Sequence, residues 1–242
     1  MELNEIAARL EGLEETIIHR LIDRAQFASN TRAYEPGKSG FEGAEGRSLL
    51  EVRIDYQEEM DAAFGRYEVP EERPIRRTLP PPKRNVFLPD TGLHLIHPDA
   101  VNVAPDILKA YLAYLPTLCI DDDDFQYGSA VEHDIMALQA ISRRVHFGAM
   151  YVAEAKYRAQ NETFRAALDA GDRDEVLALL TRPEVEQRIL ARVQDKVDYL
   201  QARVNTSVRR TVNPESVLAL YRDCIIPLTK EGEVRYLEQR LP

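Results

Sequence analysis

The stretch "SRRVHFGAMYVAEAK", residues 142–156, decides the fold. It lies in a segment over 128–160 that contains no proline and is interrupted only by Gly148. Alanine, methionine and glutamate, all good helix formers, are well represented in it. A helix is predicted across the whole segment. One geometric difficulty comes with that prediction. Arg144 and Lys156 are twelve residues apart, and at about 100° per residue a straight helix leaves them roughly 120° apart. The two cations face one pocket only if the helix is irregular between them.

Helical periodicity continues outward from this segment. Ile6, Leu10, Leu13, Ile17, Leu21 and Ala25 recur at three- and four-residue spacing and predict a first helix over about 3–30. Further helices are predicted over about 47–68, 102–118, 162–170, 173–181, 184–206 and 214–240. Residues 69–100 hold Pro70, Pro74, Pro80, Pro81, Pro82, Pro89 and Pro98 and read as a long irregular connection. Neither flank looks self-sufficient, so one domain over 1–242 is expected, with 69–100 inside it. No segment alternates in strand fashion, and the fold class is all-α.

Composition narrows the function. The 242 residues carry a formal net charge of −10, which disfavours broad contact with nucleic acid or an anionic membrane. A local cationic pocket for a small anion remains compatible with it. No apolar run reaches membrane-spanning length, the best being "ILKAYLAYLPTLCI". Cys119 and Cys224 are the only cysteines, so neither a disulfide framework nor a structural zinc site is expected. The acidic, amphipathic start "MELNEIAARLEGLEE" resembles neither a signal peptide nor a transit peptide, and a cytoplasmic setting is expected. "DDDD" at 121–124 lacks the spaced ligands of a calcium loop and reads as a solvated loop before a helix.

Polar residues on faces that periodicity assigns to the core carry the functional signal. Thr229 and Glu233 share a stripe with Ile226 and Leu237, Glu186 one with Ile189, Val193 and Val197, and Lys156 lies among Val152, Ala153 and Ala155. Each alone fits a snorkelling side chain or an ordinary ion pair. Together they suggest a polar pocket inside a helical bundle. A di-metal site is not expected, because His133 and His146 lack the Glu-x-x-His pattern and read as structural.

The blocks "LEETIIHRLIDRAQF" (13–27), "YGSAVEHDIMALQAISRRVHFG" (127–148), "VAEAKY" (152–157), "LTRPEVEQRIL" (180–190) and "IIPLTKEGEVRYLEQRL" (225–241) make the chain resemble the all-helical chorismate mutases, in the branch found in fungi and plants. The resemblance implies an isomerase that converts chorismate to prephenate on the route to phenylalanine and tyrosine, with no metal, cofactor or covalent intermediate. It implies Arg144 on a substrate carboxylate, Lys156 on a carboxylate and the ether oxygen, and a protonated Glu233 opposite that oxygen. It further implies Glu186 on the substrate hydroxyl and Thr229 beside the carboxylate site. Homodimers are implied too, often controlled by tyrosine and tryptophan at the subunit interface.

Departures from the family pattern are specific. The family spacing "HFGKFVAEAK" is here "HFGAMYVAEAK", one residue longer, and a π-bulge near Gly148 to Tyr151 is predicted to absorb it. The family arginine of the first helix is Ala7; Arg9 lies about 200° round the helix, and Arg182 is a second candidate to replace the charge. Gly232 stands where the family has a side chain. In the effector site Gly128, Ser129 and Arg66 match, whereas Gly65 replaces the second arginine and Glu132 a threonine, so constitutive activity is expected. Two other readings stay open: an altered member binding another small dicarboxylate, and a helical interaction protein docking through 69–100.

Overall fold

The computed structural model describes residues 1–241. Ten α-helices build it: α1 (Leu3–Arg24), α2 (Leu49–Ala63), α3 (Ala104–Leu118), α4 (Tyr127–Phe147), α5 (Ala153–Ala159), α6 (Asn161–Asp169), α7 (Arg173–Leu180), α8 (Pro183–Gln201), α9 (Pro214–Leu220) and α10 (Ile226–Gln239). There is no strand among the described residues, so the chain is all-α. None of these helices is long and apolar enough to cross a membrane.

The 128–160 segment is helical throughout but not uniform. A π-turn at Gly148–Val152 joins α4 to α5, where the spacing of Arg144 and Lys156 called for one. A second π-turn, Tyr221–Ile225, joins α9 to α10. It precedes Pro227, which has no N–H to give and whose ring would crowd the carbonyl four residues back. Both wide turns abut helices that line the cavity described below.

The first helix is shorter than predicted, ending at Arg24 rather than near 30. The reason is tertiary. The Arg24 guanidinium is fully buried; its Nε donates to Asp134 Oδ1 at 2.6 Å, and its terminal nitrogens donate to Tyr34 Oη at 2.8 Å and the Ala28 carbonyl at 3.1 Å. The chain leaves the helix to bring those carbonyls round the cation, passing through a left-handed Asn30 with φ 52°. Similarly, α2 starts at Ser48, whose side chain and Glu51 form a reciprocal cap, and stops before Gly65, whose φ of 78° is left-handed. Helix α8 ends at Gln201 rather than 206.

Two large apolar clusters fill the bundle. One joins Ile17, Leu21, Tyr111, Ile141 and Tyr221, from α1, α3, α4 and the second π-turn. The other gathers Ile6, Met150, Phe164, Val234 and Leu237 around the first π-turn and α10. The proline-rich connection is irregular, as predicted, and is tied down by polar contacts. Glu58 accepts the N–H groups of Ile75 and Arg76 at 2.6 and 2.8 Å, and Asn102 Nδ2 donates to the Pro74 carbonyl at 2.7 Å. His146 anchors the start of α3: its Nε2 accepts the Val103 N–H at 2.9 Å. Burial holds its pKa near 3, so the ring is neutral and structural.

Candidate active site

A cavity of about 590 Å³ opens between α1, α4, α5, α8 and α10. Arg144, Lys156, Glu186, Thr229 and Glu233, from four of those helices, all line it. The first π-turn makes this possible, because one wide turn removes most of the angular mismatch between Arg144 and Lys156.

Each side chain has a distinct environment. Arg144 is 2 % exposed, and one terminal nitrogen donates to Thr229 Oγ1 at 2.9 Å. Thr229 in turn donates to the Ile225 carbonyl at 2.7 Å, which fixes its oxygen toward the guanidinium. Arg144 Nε has no hydrogen-bond partner among the described residues, nor does this arginine form an ion pair with any of them. A buried, charged guanidinium beside a cavity and without a carboxylate is costly unless an anion joins it. Lys156 Nζ donates to the Leu180 carbonyl at 2.6 Å and to Glu233 Oε2 at 3.2 Å. Glu233 is buried, and desolvation raises its pKa, with Lys156 and then Arg144 pulling the other way.

Glu186 is less enclosed than the periodicity of α8 suggested. It is half-buried and accepts a bond from Lys230 at 3.0 Å. Arg182 lies exposed at the cavity rim, donating only to the Thr181 carbonyl at 3.2 Å. Arg9 does not join the site: it is exposed and bonds Glu5 at 3.0 Å, while Ala7 faces the cavity. Helix rotation explains this, since two steps along α1 turn a side chain about 200°.

The polar residues proposed for an effector site lie elsewhere. Arg66 is bracketed by carboxylates, Asp61 at 3.2 Å and Glu72 at 2.8 Å. A Cβ added at Gly65 would lie 2.4 Å from Val86 Cγ2 on a left-handed backbone, so a side chain there would be strained and would require Val86 to shift. Gly128 and Ser129 sit in the first turn of α4.

Sequence reasoning missed several residues of the cavity. Glu14 is fully buried and takes a two-pronged bond from Arg192, at 2.8 and 2.7 Å. The signal for it was present, because Glu14 interrupts the inward stripe of Leu10, Ile17 and Leu21. Arg188 and Lys230 also line the cavity; Arg188 lies on no apolar stripe, whereas Lys230 interrupts that of Ile226, Val234 and Leu237 and could have been found in the same way as Glu14. Six cations and four carboxylates line it in all, a local positive excess in an acidic protein. Among the described residues no cluster of metal-ligating side chains is present.

Known proteins resemble the chain over nearly its whole length. It is 37 % identical over 250 residues to chloroplastic chorismate mutase 1 of Petunia hybrida, covering 99 % of this chain and 76 % of that protein. It is 36 % identical to the chorismate mutase of Schizosaccharomyces pombe, covering 100 % of this chain and 97 % of that one. The crystal structure of the Candida albicans chorismate mutase in complex with L-Trp superposes with a TM-score of 0.89 at 34 % identity, covering 99 % of this chain and 91 % of that chain. No family model matches the chain.

Proposed function

We propose how the cavity works from one premise: this chain belongs to the chorismate mutase family. It is an isomerase that rearranges chorismate to prephenate. One C–O ether bond breaks and one C–C bond forms within a single molecule. Negative charge grows on the ether oxygen as the C–O bond opens, while two substrate carboxylates persist throughout. Catalysis therefore consists of holding a compact conformer and placing donors where charge develops.

Arg144 binds one carboxylate in this reading. Its burial without a counter-ion is the observation that carries the assignment. Thr229 holds the guanidinium plane and lies beside the same carboxylate. Lys156 reaches a carboxylate and the ether oxygen. Glu233 stands beside it, and its raised pKa favours the protonated form that donates to that oxygen. An ionised Glu233 would repel the developing charge. Glu186, held by Lys230, takes the substrate hydroxyl. The second carboxylate lacks the first-helix arginine, and Arg182, exposed at the rim with only a backbone carbonyl to bond, is the candidate that supplies this charge. No cofactor takes part.

The whole of 1–242 acts as one helical domain, as a homodimer. Tyr56 and Met60 on α2 and Phe64 just past its end repeat every four residues, are exposed, and support that assembly. The buried, unpaired thiols of Cys119 and Cys224 suit a reducing compartment such as the cytoplasm. Control by aromatic amino acids is absent in this reading, because Arg66 is already paired with two carboxylates and position 65 carries a glycine in place of the second arginine. Loss of chorismate and appearance of prephenate, followed with purified protein, test the reaction. No turnover in folded protein would overturn it.

A further inference from the structure

The extra residue between Arg144 and Lys156 must go somewhere, and the structure shows where. The π-turn brings Ala149, fully buried, against α10 at Gly232. A Cβ built on Gly232 would lie 2.6 Å from the Ala149 Cβ, closer than two carbons can approach. One turn earlier on α10, the methyl of Thr229 packs over Gly148, where an added Cβ would stand 2.8 Å away. The wide turn is thus gripped at two points by the helix that carries Thr229 and Glu233. Along the helical segment those points lie between the two polar contacts of the cavity, Arg144 to Thr229 at 2.9 Å and Lys156 to Glu233 at 3.2 Å. The extra residue and the glycine at 232, separate oddities in the sequence, meet in space.

We propose that Gly232 is a positioning residue: its missing side chain seats the π-turn at Ala149 against α10, holding Lys156 on Glu233 and Arg144 on Thr229. This rests on the function proposed above. Nothing about the backbone of α10 demands a glycine there, since Gly232 is not in the left-handed region and alanine is the better helix former. Propensity alone would make Gly232→Ala more heat-stable. The contact instead forces α10 and the π-turn apart, moving Glu233 and Lys156 by a fraction of an ångström to an ångström.

The test exchanges one methyl across the contact. Gly232→Ala is expected to lower kcat about 100-fold, since misplacement near 1 Å costs that much, with a much smaller change in KM. Separation from Lys156 also leaves Glu233 harder to ionise, so the fall in activity with rising pH moves to higher pH. Ala149→Gly combined with Gly232→Ala restores the space and is expected to return both kcat and the pH limb to near wild type. A general destabilisation would produce neither the pH shift nor the rescue. Wild-type kcat and pH limb in Gly232→Ala would overturn the proposal, as would a double variant that fails to recover or to fold. Should Gly232→Ala alone not fold, the double variant decides by the same criteria. A wild-type protein without chorismate turnover removes the functional reading and this proposal together, whereas turnover without the exchange pattern removes this proposal only.

Discussion

Three arginines are buried in this molecule, Arg24, Arg73 and Arg144; Arg24 and Arg144 lie at opposite ends of the α1–α4 packing and are treated differently. Arg24 has a full complement: a carboxylate, a tyrosine hydroxyl and backbone carbonyls, with Tyr111 also donating to Asp134 at 2.8 Å. Arg144 has one hydroxyl and an orphaned Nε. Desolvating a charge costs several kcal/mol, and only pairing offsets it. The first arginine is complete in the folded chain. Arg144 keeps an unused Nε donor and lines the cavity, which supports the carboxylate role proposed for it.

That contrast can be broken most forcefully at Arg24. Replacing it with alanine strands Asp134 in the core and is expected to cost about 3–5 kcal/mol, a large part of a typical domain's stability. Urea unfolding measures this; a loss under 1 kcal/mol would mean that the network is decoration. Arg144→Ala should behave oppositely, with stability equal to or above wild type and chorismate turnover reduced about 10²–10³-fold. Thermal unfolding sharpens the pair further. A saturating dicarboxylate analogue should raise the melting temperature of wild type and leave Arg144→Ala almost unmoved.

Glu233 gives an effect of intermediate size. Its donor form exists below its raised pKa, so activity is expected to hold at pH values below that pKa and to fall as pH rises through it. Glu233→Gln keeps a donor at every pH and should flatten the alkaline limb at a lower plateau. A pH–rate profile that climbs steadily into alkali would contradict the assignment. Smallest of all is the expected response to aromatic amino acids. Tyrosine or tryptophan at millimolar concentration should change turnover less than about twofold, since no free cation at 65 or 66 remains to take the effector's carboxylate.

Much of the site was legible because helices are local. A stripe at 3.6-residue period assigns an inward face, and Thr229 and Glu233 stood out as polar residues on it. Counting twelve residues from Arg144 to Lys156 showed that a straight helix would part them, the one-residue excess over the family spacing predicted a wide turn, and one is present at Gly148–Val152. The same logic applied to α1 would have found Glu14. It gave no route to Arg192, which reaches Glu14 across 178 residues of chain, nor to the pairing of Lys230 with Glu186.

Sequence by itself therefore determined the helices, the inward polar groups and the need for an irregular turn, because backbone hydrogen bonding and side-chain period act over a few residues. Tertiary structure alone decided where α1 stops, that Ala7 and not Arg9 faces the cavity, which charges are paired, and that Ala149 lies on Gly232. Those outcomes depend on burial and on partners distant in the chain. Pairing a charge or fitting a methyl group is a property of the space between helices, and no single helix encodes it.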